Sequence, residues 1–121
     1  MDKKIDKEYP NFSKGGGLIP VIVQDEKTNE VLMCAYMNKE AYQKTLKLKQ
    51  MVYFSRSRGT LWHKGATSGN FQNLVALYLD CDGDTLLAKV HQMGCGACHT
   101  GRVSCFYKVI GEDGGVVEIM E

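Results

Sequence analysis

No apolar run in the 121-residue sequence approaches the ~20 residues of a membrane-crossing helix, and no signal-peptide core follows Met1-Asp2-Lys3-Lys4. Charge of one sign is equally scarce. Lys plus Arg number 15 against 14 for Asp plus Glu, so no global field exists to hold nucleic acid or a membrane surface, and an anionic ligand must be gripped locally. The five cysteines form an odd set without secretory context. That argues against a disulfide framework and for reduced thiols, metal ligands or small buried hydrophobes. There is no internal repeat, low-complexity block or interdomain linker. The expectation is a soluble, cytoplasmic protein of one domain at 17–121, long enough to bury a core without staples, preceded by a loosely ordered polar segment at 1–16.

What is present points to a β-rich α+β fold. The apolar runs 18–23 and 31–37, separated by the turn residues Asp25-Glu26-Lys27-Thr28-Asn29, predict a β-hairpin. Asn38 is a good N-cap, Glu40 suits a first turn, and Ala41, Tyr42, Thr45, Leu46 and Leu48 place an apolar stripe on a helix ending near Gln50. Strands are expected at 51–55, 71–79 and 86–92, the second apolar enough to be covered on both faces. Residues 94–101 hold three glycines in eight positions and predict a loop that approaches a ligand or metal closely. A final hairpin is expected from 105–110 and 116–120.

Three cysteines, Cys81, Cys98 and Cys105, accompany the acidic string Asp80-Cys81-Asp82-Gly83-Asp84. Thiolates select zinc, whereas closely spaced carboxylates suit magnesium or a similar hard cation. In an extended chain Asp80 and Asp82 face one way and Cys81 the other, and a bend at Gly83 returns Asp84 to the first two carboxylates. Against this stands a solvated acidic turn. The cysteine spacing is not that of a zinc knuckle. A three-ligand zinc keeps a fourth position for a water that is acidified toward neutrality. Against it stand buried small hydrophobes, which is how Cys34 is read, and Cys95 offers a fourth thiolate for a closed site. His99 suits a general base, proton shuttle or fourth ligand, with His63 and His91 as weaker counterparts. Residues 53–69 combine Arg56, Ser57, Lys64, Thr67 and Ser68 with Trp62, the chain's one tryptophan. Such a set fits a phosphate-bearing nucleotide, or else an exposed polar hairpin whose tryptophan fills the core.

Five motifs carry a resemblance: Gly17-Leu18-Ile19-Pro20 with Val23-Gln24-Asp25; Ser55-Arg56-Ser57-Arg58; Leu61-Trp62-His63-Lys64-Gly65 with Thr67-Ser68-Gly69; Asp80-Cys81-Asp82-Gly83-Asp84; and Cys98-His99-Thr100-Gly101-Arg102 with Ser104-Cys105-Phe106. In this order they closely resemble the phosphoribosyl-AMP cyclohydrolases of histidine biosynthesis. The resemblance implies hydrolysis of the N1–C6 bond of the adenine ring in phosphoribosyl-AMP, giving a formimino-linked imidazole carboxamide ribotide. It implies zinc on Cys81, Cys98 and Cys105, one ion per subunit and shared across a homodimer, and magnesium on Asp80, Asp82 and Asp84. His99 is then the residue that manages protons. Arg56, Ser57, Trp62, His63, Lys64, Thr67 and Ser68 are substrate-binding candidates, and the fold is an antiparallel pseudo-barrel or roll capped by one main helix. Neither nucleic acid nor membrane is an expected partner.

One departure is the stretch Gln92-Met93-Gly94-Cys95-Gly96-Ala97-Cys98, one residue longer than the family's usual approach to its Cys-His-Thr-Gly motif and carrying the extra thiol Cys95. The pyrophosphohydrolase domain fused to this activity in some relatives is not expected here, so a separate enzyme would make the substrate. Two other classes compete. One is a non-catalytic zinc module closed by Cys81, Cys95, Cys98 and Cys105. The other is a deaminase-like hydrolase of another purine nucleotide, disfavoured because no His-x-Glu accompanies a Cys-x-x-Cys to complete the expected arrangement.

Overall fold

The computed structural model describes residues 9–119. Its largest sheet is built from β1 (Ile19–Asp25), β2 (Val31–Met37), β5 (Gln72–Leu79) and β6 (Leu86–Gln92), in the order β2-β1-β6-β5. Helix α1 (Lys39–Leu48) follows β2, and two small hairpins complete the fold: β3 (Val52–Ser55) with β4 (Thr60–His63), and β7 (Lys108–Ile110) with β8 (Val116–Glu118). β1 and β2 form the expected hairpin, β5 and β6 also pair antiparallel, and β1 and β6 run parallel. The sheets are not closed into a barrel. The result is a β-rich α+β roll with one main helix.

One sheet face makes the core. Ile19, Val21 and Val23 of β1, Met33 and Met37 of β2, and Leu86, Ala88 and Val90 of β6 pack with Ala41 of α1 and with Val52 and Tyr53 of β3. Each large aliphatic side chain so buried is worth about 1.5–3 kcal/mol relative to exposure. The helix begins where the Asn38 side chain accepts from Ala41 N–H at 2.8 Å and ends at Lys49, whose φ is +59°. Thr45 anchors α1 to β3: its Oγ1 donates to Val52 O at 3.2 Å and accepts from Val52 N–H at 2.9 Å. Leu46 and Leu48, expected in the apolar stripe, are exposed, because the helix packs through the narrower face of Ala41 and Thr45.

Other expectations are corrected. β5 is an edge strand, so it is not covered on both faces; Val75 and Tyr78 are about half exposed, at 53% and 52%. Cys34 is exposed rather than buried, because it pairs with Ile22 on the face turned from the core. The same face carries Leu87 opposite Ile22 and Tyr78 opposite Leu87, an apolar row across all four strands. Trp62 does not fill the core; it is 41% exposed, while Tyr53 beneath it takes the interior. β7 starts at Lys108 rather than at Cys105, and Met120 lies outside the described residues. Of the polar N-terminal segment, 1–8 likewise lie outside them. The rest is anchored: Asn11 N–H donates to Gly83 O at 2.7 Å, and the Phe12 ring meets Tyr42 at 5.7 Å. Among the described residues no helix is long and apolar enough to cross a membrane.

Candidate active site

Two thiols meet where the glycine-rich loop folds back on itself. Ala97 N–H donates to Val103 O at 2.9 Å, Cys98 N–H to Arg102 O at 3.1 Å, and Gly101 N–H to Cys98 O at 3.0 Å, closing the loop under Cys98. Gly96 makes this possible: its φ is +137°, and a Cβ there would stand 2.5 Å from Arg102 O. Cys105 is pinned to β2 by its N–H on Leu32 O at 2.7 Å, helped by Ser104 Oγ on Val31 O, also at 2.7 Å. The thiols of Cys98 and Cys105 lie close enough to perturb each other's proton affinity.

Their electrostatics differ. Burial pushes the Cys98 thiol up, but hydrogen bonds from Thr100, whose Oγ1 lies 3.0 Å from Sγ, together with Cys105 and the Lys64 cation, outweigh it and hold Cys98 below the ordinary thiol value. Burial and then the neighbouring Cys98 push Cys105 up to about 11. The pair therefore holds one proton more tightly than a free thiol does and the other more loosely. Lys64 is buried, its Nζ donating to Ala97 O; burial lowers its pKa, while Cys105 and Cys98 raise it.

A cleft of about 480 Å³ opens beside this pair, lined on one side by Cys105, His99, Ala97 and Met33 and on the other by the β3–β4 hairpin. Of the residues expected from the sequence, it gathers Ser57, Trp62, Lys64, His99 and Cys105. Arg58, Ser55 and Thr60 also line it and escaped sequence reasoning; alternation along the hairpin, which puts Ser55 opposite Thr60, was the available signal. Arg56 lies over the Tyr36 ring at 4.0 Å, His63 bonds Gln50 Oε1 through Nε2 at 2.9 Å, and Thr67 and Ser68 sit on an exposed turn; none of the four lines the cleft. His91 is exposed on β6.

The acidic turn is a separate centre. Oxygens of Asp80, Asp82 and Asp84 lie within 4.8 Å of one another, brought round by Gly83 at φ +75°. Desolvation pushes the Asp80 carboxyl up, and backbone N–H donors of Asp84, Thr85 and Gly83 overcome it, holding Asp80 below the usual carboxylate range. A cation already stands here: Lys14 Nζ is 3.1 Å from Asp84 Oδ2. An acceptor-only, oxygen-rich trio that attracts an ammonium fits a hard divalent cation.

The soft site is incomplete within one chain. Among the described residues the acidic trio is the sole group of three or more His, Cys, Asp or Glu side chains close enough to hold a metal, so neither Cys81 nor Cys95 joins Cys98 and Cys105. Cys95 is exposed, its N–H on Asn70 Oδ1 at 3.0 Å, and it lines a different hollow with Asp25 and Glu30. The closed four-thiolate site is thus not assembled in the chain. The two adjacent thiols, one already below its ordinary pKa, are of the type that binds a soft cation.

An α+β roll with a cleft of about 480 Å³ shared by the Cys105 thiol, a histidine and a basic aromatic hairpin has the layout of a small-molecule enzyme rather than of a scaffold. The phosphoribosyl-AMP cyclohydrolase family profile matches residues 33–107. The chain is 60% identical over 103 residues to the phosphoribosyl-AMP cyclohydrolase of Streptococcus thermophilus, covering 85% of this chain and 91% of that one. It is 57% identical to that of Nitratidesulfovibrio vulgaris over 88% of this chain and 84% of the other, and 56% identical to that of Clostridium botulinum over 91% and 94%. The chain belongs to the phosphoribosyl-AMP cyclohydrolase family.

Proposed function

We propose that this protein is a phosphoribosyl-AMP cyclohydrolase that opens the adenine ring of its substrate by hydrolysing the N1–C6 bond, yielding the formimino-linked imidazole carboxamide ribotide of histidine biosynthesis. The observation that carries this reading is the cleft in which Cys105 and His99 face the β3–β4 hairpin, in a chain of this family. Cys98 and Cys105, with Cys81 of a second copy, would hold zinc, which would supply a water acidified toward neutrality. The family resemblance implies a homodimer, and two features support that reading: the thiol pair has no third ligand among the described residues, and Cys81 is exposed on the acidic turn away from it. Asp80, Asp82 and Asp84 would hold magnesium, which would offset substrate phosphate charge.

The chain's own residues handle the substrate. Trp62, exposed at the cleft, offers a ring face to the purine, while Arg58, Ser57, Ser55 and Thr60 present a cationic fork and hydroxyls to phosphate oxygens. His99 borders the cleft and delivers a proton to N1 as the C6–N1 bond breaks, so that the departing nitrogen leaves neutral. Arg56, Thr67 and Ser68 serve the phosphates only from the cleft's surroundings. Turnover of phosphoribosyl-AMP, followed by the ultraviolet change on ring opening, tests the reading. Magnesium-dependent turnover that stops when zinc is stripped is the expected result; folded, zinc-loaded protein that leaves the substrate intact with magnesium present would refute it.

A further inference from the structure

Lys64 is the cation that lines the cleft without pointing out of it. It is 6% exposed, and a buried ammonium is tolerated only where its charge is met. Among the described residues no carboxylate pairs with it. Its Nζ donates to Ala97 O at 2.5 Å, the carbonyl immediately before Cys98, stands 5.2 Å from the centre of the Trp62 ring, and lies close enough to Cys105 and Cys98 to interact electrostatically with both thiols. The backbone that delivers it is fixed on both sides: Lys64 N–H donates to Met51 O at 3.1 Å, and Gly65, at φ +95°, lies so close to Phe71 that a Cβ would collide with its backbone.

We infer that Lys64 is a positioning residue for the soft-metal site: its ammonium balances the negative charge of the Cys98–Cys105 pair and, through Ala97 O, fixes the loop that carries Cys98. The inference rests on the zinc reading above. Three thiolates around a divalent cation leave a net charge of about minus one, and an uncompensated charge at a half-buried site is costly. Lys64 cancels that charge from inside the fold. The role differs from the substrate-phosphate role that its place beside Trp62 in the sequence suggests.

The test measures zinc affinity by competition with a chromophoric chelator in the full-length protein and in Lys64→Gln, Lys64→Met and Lys64→Arg. Glutamine retains a donor for Ala97 O but no charge, methionine retains neither, and arginine retains both. Zinc affinity is expected to fall about tenfold to a hundredfold in the glutamine and methionine variants, the scale of losing an outer partner of a metal ligand. It should stay near wild type in the arginine variant, and the thiolate-to-metal absorption of cobalt-substituted protein should shift only where the charge is gone. Should Lys64→Met fail to fold, the other two variants decide the matter. Wild-type zinc affinity in Lys64→Gln, with a raised KM instead, would overturn the inference and return Lys64 to substrate binding. Zinc binding absent from the wild type itself would instead sink the metal reading on which it rests.

Discussion

At the residue scale, the thiol pair gives the protein an uncommon response to alkali. Cys98 sits below its unfolded value near 9 and Cys105 above it at about 11. A folded-state pKa that is depressed contributes stability that grows as pH rises toward the unfolded value. One that is raised contributes stability that is lost as pH climbs from the unfolded value through the folded one. Tyr53, pushed well above 10 by burial, adds to the second trend. Metal-free protein is therefore expected to lose stability as pH rises from about 9 to about 11. Urea melts across that range check it, and Cys105→Ser should flatten the decline; an unchanged slope would refute the assignment. The sequence made the ligand residue types legible, since softness and hardness are properties of side chains. It did not reveal that Lys64 turns inward or that Arg58, rather than Arg56, reaches the cleft, because both depend on how one hairpin twists against β2.

At the scale of elements, the N-terminal segment behaves as a strap across the acidic turn. Asn11 bonds Gly83 through the backbone, Tyr9 packs on the Gly83 Cα, and the short 3-10 turn at Ser13–Gly15 carries Lys14 to Asp84. A divalent cation on the trio must displace or accommodate this tethered ammonium. Lys14→Met is accordingly expected to bind manganese, used as a spin probe, more tightly by up to about fivefold, the scale of a surface ion pair. Equal or weaker binding would show that Lys14 leaves the cation alone. The first hairpin, the helix and most strands along the chain were readable from apolar runs, turn residues and the Asn38 cap, because each is a local signal. The strap was not: nothing in the polar run before Gly15 signals that it docks on a turn far along the chain. β5 was misjudged for a related reason. Its apolarity equals that of an interior strand, while its position at the sheet edge is a matter of topology.

At the scale of the whole molecule, the incomplete thiol pair and the exposed apolar surface argue together. The β7–β8 hairpin leaves Ile110 and Val117 72% and 67% exposed, and the row Cys34, Ile22, Leu87 and Tyr78 crosses the outer sheet face. Surfaces of this kind suit burial against a second copy. If the zinc ligands are divided between subunits, Cys81→Ala and Cys98→Ala are each inactive alone, yet refolding them together restores one intact site in each mixed dimer. In an equal mixture that amounts to roughly a quarter of wild-type activity for a two-fold dimer. Absence of any recovery, with mixed dimers verified by mass, would place all three ligands within one chain.

The parallel pairing of β1 with β6 has a consequence for biogenesis. Val21 meets Leu86, so the strand made early lacks one neighbour until most of the chain has left the ribosome. Until then the β1–β2 hairpin exposes Ile19, Val21 and Val23, the residues that later form the centre of the core. Long-range pairing of this sort is slow and leaves nascent chains open to mispairing. A message truncated or stalled before codon 86 would therefore yield a sticky product, and the cell's chaperones, rather than the fold, would determine its fate.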